Sequence, residues 1–122
     1  MKFHLIQSDN KNLITGYDLN WVEVNQERHQ TSLIMTPNKL LLEWPVKTIK
    51  DIKENSFEAI ESLNIEIILL GTGNIQEHLE PRLLEYFSKK NMAIECMNNQ
   101  SACRTYNILA NEERKVLLAL ML

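Results

Sequence analysis

The chain is poor in the residues that punctuate or brace a fold: its 122 residues include three glycines, three prolines and two cysteines. With so few chain breakers there is no low-complexity linker, and no internal repeat is present. Cys96 and Cys103 lack the C-x-x-C spacing of a metal site and fall on different predicted elements, so they are expected to be free, buried thiols. Positive charge is also in short supply. Thirteen Lys and Arg against sixteen Asp and Glu leave a net charge of −3, which argues against a protein that binds nucleic acid by neutralising phosphates. Lys47, Lys50 and Lys53 lie close together but alternate with Asp51 and Glu54, the pattern of a solvated turn. No apolar run approaches the roughly 18 residues of a membrane-spanning helix. The N-terminal "MKFHLIQSDN" has neither the apolar core of a signal peptide nor the Arg-rich amphipathic pattern of a transit peptide. A cytoplasmic protein without a transmembrane segment is therefore expected.

The length suits one domain, and 44% hydrophobic with 24% charged residues is ordinary for a globular chain. Its first half reads as β structure. "KFHLI" and "WVEVN" alternate, residues 8–12 form a polar turn, and "NLITGY" reaches a glycine expected in a backbone shape that other residues avoid. "TSLIMT" and "KLLLEW" flank Pro37-Asn38 and predict a hairpin, with Trp44-Pro45 stopping its second strand.

From Asn55 the hydrophobic period changes. Asn55 and Glu58 have capping-box spacing, predicting a short helix before the buried strand "IEIILL". Pro81 suits the first turn of a helix with an apolar face of Leu79, Leu83, Tyr86 and Phe87. "MAIECM" is the next strand. Asn99 is expected to cap a helix from about Gln100 to Ala110 that buries Ala102, Tyr106 and Leu109, and "KVLLALML" closes the chain as an apolar strand. This order predicts a single layered α/β domain over residues 1–122, with parallel neighbours joined by right-handed crossovers and an N-terminal antiparallel portion.

Two regions could carry function. Gly71-Thr72-Gly73 follows a buried strand, as phosphate loops do, but Gln76 occupies the place of the third glycine of a dinucleotide fingerprint and no Gly-Lys-Ser/Thr ending exists. Glu77 and Glu80 would repel an anion at the next helix, with Arg82 a partial offset. A structural turn is the expectation there. A small-ligand or nucleotide site, with or without catalysis, is the alternative. His4, His29 and His78 are scattered and no serine sits in a nucleophile elbow, so no catalytic residue, metal site or cofactor is expected. In "ACRTYNILANEER", a helical wheel turns Arg104, Asn107 and Ile108 outward, with Thr105 at the edge of the buried face. That combination of apolar and hydrogen-bonding groups is either solvated helix or a protein contact.

The series "ITGY", "VEVNQERHQTSLIMTP", "LLLEWPV", "LLGTG", "IECM" and "ACRTYNILANEER" resembles the family of mitochondrial NADH:ubiquinone oxidoreductase (complex I) assembly factor 3 and its uncharacterised bacterial relatives. The resemblance implies a three-layer α/β fold with a mixed central sheet whose last strand is antiparallel to the others. It implies no established enzymatic activity: the mitochondrial relative binds other proteins during assembly of a respiratory complex, and peripheral contact with a membrane complex suits that role. The absent transit peptide points to a bacterial member. Departures are Asp18 and Asn20 where relatives have glycines, and Asn99 where they have a capping threonine.

Overall fold

The computed structural model describes residues 11–122 together with the backbone of the strand Leu5–Gln7. Part of the predicted "KFHLI" alternation, His4, and residues 8–10 of the predicted polar turn lie outside the described residues. The strands are β1 (Leu5–Gln7), β2 (Ile14–Asp18), β3 (Trp21–Val24), β4 (Glu27–His29), β5 (Leu33–Thr36), β6 (Lys39–Leu41), β7 (Ile67–Gly71), β8 (Ile94–Met97) and β9 (Val116–Leu120). The α-helices are α1 (Pro81–Lys89) and α2 (Asn99–Asn111).

A six-stranded mixed sheet runs in the order β1-β6-β5-β9-β7-β8, and a three-stranded antiparallel sheet in the order β2-β3-β4. The apolar alternation of the strands explains the layers. Ile34, Leu41, Ile68, Leu70, Leu117 and Ala119 point to one face of the large sheet, where they pack with Leu83 and Phe87 of α1. Leu33, Met35, Leu40, Leu69, Val116, Leu118 and Leu120 point to the other, against Ala102, Cys103 and Tyr106 of α2 and against Ile14, Val22 and Val24 of the small sheet. All five residues of β9 are buried, as a strand covered on both faces must be.

The position of β9 refines one expectation. It is antiparallel to β5 but parallel to β7, which is in turn parallel to β8. The last strand is therefore antiparallel to its N-terminal neighbour only. It joins the parallel group because α2, like α1, is a crossover that returns the chain to the same end of the sheet before the next strand begins. From β7 the chain moves outward to β8 by α1 on one face, then back past β7 to β9 by α2 on the other. Opposite directions on opposite faces are what two crossovers of one hand require.

The Pro37-Asn38 hairpin forms as expected, with Thr36 opposite Lys39. Other local expectations are corrected. Gly16 lies in extended strand β2 at a register shift; among the described residues, Gly73 is the glycine with positive φ, at 98°. The helix expected from Asn55 is a single 3-10 turn, Glu58–Ile60. The capping carboxylate instead belongs to Asp51, which accepts from the backbone N–H groups of Lys47 and Thr48, and these bonds hold its pKa below the ordinary value. The segment between β6 and β7 is irregular yet anchored. Trp44 donates its indole N–H to the Ser56 carbonyl at 3.0 Å, and Phe57 packs between Trp44 and Phe87. Strand β4 was not expected from its polar sequence.

Candidate functional site

The glycine loop sits at the carboxyl end of β7, where open α/β sheets place ligands. Its two glycines have different causes. A Cβ on Gly71 would come within 2.5 Å of the Leu120 side chain and closer still to Asn99 Oδ1, whereas Gly73 has open space but needs its positive φ. The loop's polar groups are turned inward. Thr72 N–H donates to the Met97 carbonyl at 2.8 Å, and its hydroxyl lies 2.8 Å from the Ile75 carbonyl while accepting from Glu77 N–H at 3.0 Å. Gly73 N–H donates to Asn99 Oδ1 at 3.0 Å, and Asn99 N–H returns a bond to the Gly73 carbonyl at 2.8 Å.

The helix N-terminus is committed as well. Asn98, one residue earlier than expected, is the N-cap and accepts from Ser101 N–H. Asn99 sits in the first turn and ties the loop to β9 by donating to the Met121 carbonyl at 2.9 Å. The backbone N–H groups of Thr72, Gly73, Glu77, Asn99 and Ser101, which such a junction could turn to a phosphate, are thus engaged within the fold. The pocket beside the loop has a volume of about 200 Å³ and is lined by Tyr17, Asp18, Leu19, Gly73, Asn74 and residues 98–100. That is small for a ligand site. Arg82 does not reach it: its guanidinium lies 3.1 Å from Glu54 and 3.9 Å from Glu80 on α1's side of the sheet.

The outer surface of α2 divides differently from its helical wheel. Gln100, Arg104 and Ile108, four residues apart, form an exposed stripe, and Ile108 is 60% exposed. Arg104 makes no ion pair or hydrogen bond with the described residues. Asn107 is half-buried instead. Its Oδ1 accepts from Ile14 N–H at 2.9 Å and its Nδ2 donates to the Ile14 carbonyl at 2.8 Å, closing the free edge of β2 as a strand residue would. Thr105 is half-buried, and fully buried Tyr106 donates to the Asn12 carbonyl at 2.8 Å. Burial raises the pKa of that phenol.

Because Asn107 pairs with Ile14 while Tyr17 and Leu19 share a pocket with residues 98–100, β2 runs along α2. The β2–β3 turn therefore stands at the amino end of the Gln100–Arg104–Ile108 stripe. Leu19 is 64% exposed there, and Ile75, next to the pocket-lining Asn74, is 71% exposed. These two are functional candidates that sequence reasoning passed over. The available signal was a lone aliphatic residue between polar neighbours, Asp18-Leu19-Asn20 and Asn74-Ile75-Gln76. Among the described residues, no group of three or more His, Cys, Asp or Glu side chains is placed to hold a metal. Nor is any described helix long and apolar enough to cross a membrane.

Comparison with known proteins places this geometry. A family profile described as "Protein of unknown function (DUF498/DUF598)" matches residues 14–121. The chain is 36% identical over 85 residues to NADH dehydrogenase [ubiquinone] 1 alpha subcomplex assembly factor 3 of Xenopus tropicalis, covering 68% of this chain and 46% of that protein. It thus spans about half the length of that curated relative. It is 31% identical over 94 residues to a "13 kDa major membrane protein" of Francisella tularensis, covering 76% of each. A crystal structure of a Bordetella parapertussis protein superposes with a TM-score of 0.85 at 33% identity, over 93% of this chain and 98% of the other.

Proposed function

Because this chain belongs to the DUF498/DUF598 family, we propose that it is a protein-interaction or assembly factor without a catalytic centre of its own, assisting the biogenesis of a respiratory or other membrane complex. The observation that carries this reading is the 36% identity, over two thirds of the chain, to a relative named as an assembly factor. The partner is a protein. Its contact surface is the outward stripe of α2, with Arg104 supplying the charge-assisted donors and Ile108 the apolar anchor, extended at one end by Leu19 and Ile75. Asn107 supports that surface from below through Ile14. The chain works on the cytoplasmic side, at the periphery of the complex it serves; the Francisella relative's name associates that protein with a membrane.

Affinity capture of the tagged chain from its native cell, read by mass spectrometry on soluble and membrane fractions, tests this. The wild type should recover a defined set of proteins. The variant carrying Arg104→Ala and Ile108→Ser should lose them while its stability stays within about 0.5 kcal/mol per substitution, as exposed positions allow. A double variant that folds normally and recovers the same proteins would remove the surface assignment. A wild type that recovers none would remove the interaction reading itself.

A further inference from the structure

At the opposite end of β7 from Gly71 lies a second concavity, of about 490 Å³, built by the β5–β6 turn, by residues 63–65 before β7 and by residues 114–116 at the entry to β9. Four cationic side chains, Lys11, Lys39, Arg114 and Lys115, line it, and no Asp or Glu does so among the described residues. In a chain of net charge −3 this is a local inversion of sign. Two of the cations are held in place. Lys11 Nζ donates to the Ala110 carbonyl at 2.9 Å, at the negative end of α2, and retains two further N–H donors. Arg114 Nη2 lies 3.6 Å from Glu66 Oε2, outside the lining. Lys39 and Lys115 have no ion-pair partner among the described residues. Between these charges Pro37, Leu63 and Ile65 give the wall an apolar part, beside the uncharged polar residues Thr36, Asn38 and Asn64.

We propose that this concavity binds a small amphipathic anion: a carboxylate, sulfonate or phosphate head paired with Lys39 and Lys115, carrying a compact apolar body that rests on Pro37, Leu63 and Ile65. The volume lies within the range of small-ligand sites, about 300–1,000 Å³. The charge alone would take any anion, and the apolar wall alone any oily molecule. Their convergence selects molecules that are both. Its lining shares no residue with the proposed protein contact along the outward stripe of α2.

The probe is 8-anilinonaphthalene-1-sulfonate, followed by fluorescence and by amide shifts in ¹H–¹⁵N spectra of the full chain. Shifts should centre on residues 37–39, 63–65 and 114–116, and affinity should fall with added salt, since partly exposed charges are screened. The variant Lys39→Ala with Lys115→Ala, the first half-buried and the second exposed, should retain the wild-type spectrum elsewhere and weaken binding at least tenfold. Neutral N-phenyl-1-naphthylamine and inorganic phosphate should each bind at least tenfold more weakly than the sulfonate. Equal binding of either, shifts centred elsewhere, or an unchanged affinity in the double variant would overturn the proposal. Sedimentation with phosphatidylglycerol vesicles that depends on Lys39 and Lys115 would assign the anion to a lipid headgroup, and binding confined to the soluble probe would assign it to a free molecule.

Discussion

Three asparagine side chains do in this molecule what backbone does elsewhere. Asn107 presents one donor and one acceptor to Ile14, and Asn99 presents one of each to Gly73 and Met121. Asn12, buried, sends its Nδ2 to the carbonyls of Thr36 and Lys39. Each amide joins segments far apart in sequence, so no local pattern reveals its role. The helical wheel placed Asn107 outward because it knows the helix but not the strand laid across it. A test at this scale contrasts neighbours on α2. Asn107→Ala would leave a partly buried N–H and carbonyl of Ile14 unpaired and should cost about 1–3 kcal/mol. Arg104→Ala, with no partner to lose among the described residues, should cost less than about 0.5 kcal/mol. Urea unfolding of both variants checks the difference, and equal midpoints would show that the Ile14 edge finds other partners.

At the scale of elements, what the sequence carried was periodicity, and what it hid was backbone conformation. The strands β7, β8 and β9 and both α-helices follow from runs of apolar residues at period two or 3.6, because burial on a sheet face or helix stripe imposes those periods. The β3–β4 hairpin was missed because its turn is Asn25-Gln26, both at positive φ (48° and 71°), without the glycine that normally marks such a turn. The irregular segment before β7 was overread as a helix; its isolated anchors Val46, Ile52, Phe57 and Ile60 pin it one residue at a time. The end of α2 is another concealed feature. Arg114 N–H reaches the Leu109 carbonyl and Glu113 N–H the Ala110 carbonyl, a helix-ending pair of bonds that puts Glu113 at φ 60°. A glutamate pays a steric penalty there that glycine avoids. Glu113→Gly should therefore stabilise the chain by about 1 kcal/mol, read as a raised urea midpoint. A lowered midpoint would mean that the glutamate side chain contributes more than its backbone strain costs.

Across the whole molecule, the large sheet is a partition, and the two cysteines report on its two sides. Cys96 on β8 packs, half-buried, with the α1 core, while Cys103 on α2 is buried in the core of the opposite face. The sheet between them keeps the thiols apart, so both are free, as their placement on different elements suggested. Their surroundings predict different reactivities. Burial raises the pKa of both, and for Cys103 pushes it up to about 12. At pH 8 the Cys103 thiolate is then scarce as well as inaccessible, and thiolate is the species that attacks. With a disulfide reagent in the folded protein, Cys96 should be labelled slowly and Cys103 only through opening of the α2 layer. Raising the pH from 7 to 8 should speed Cys96 about tenfold, because both pH values lie below its raised pKa and the thiolate fraction grows tenfold per unit. Under urea the two rates should converge as the layers separate. Mass mapping of the labelled peptides distinguishes the sites. Labelling of Cys103 ahead of Cys96 in the native chain would mean that α2 lifts from the sheet more readily than the edge strand β8 exposes its side chains, and that the α2 layer is the less stable of the two.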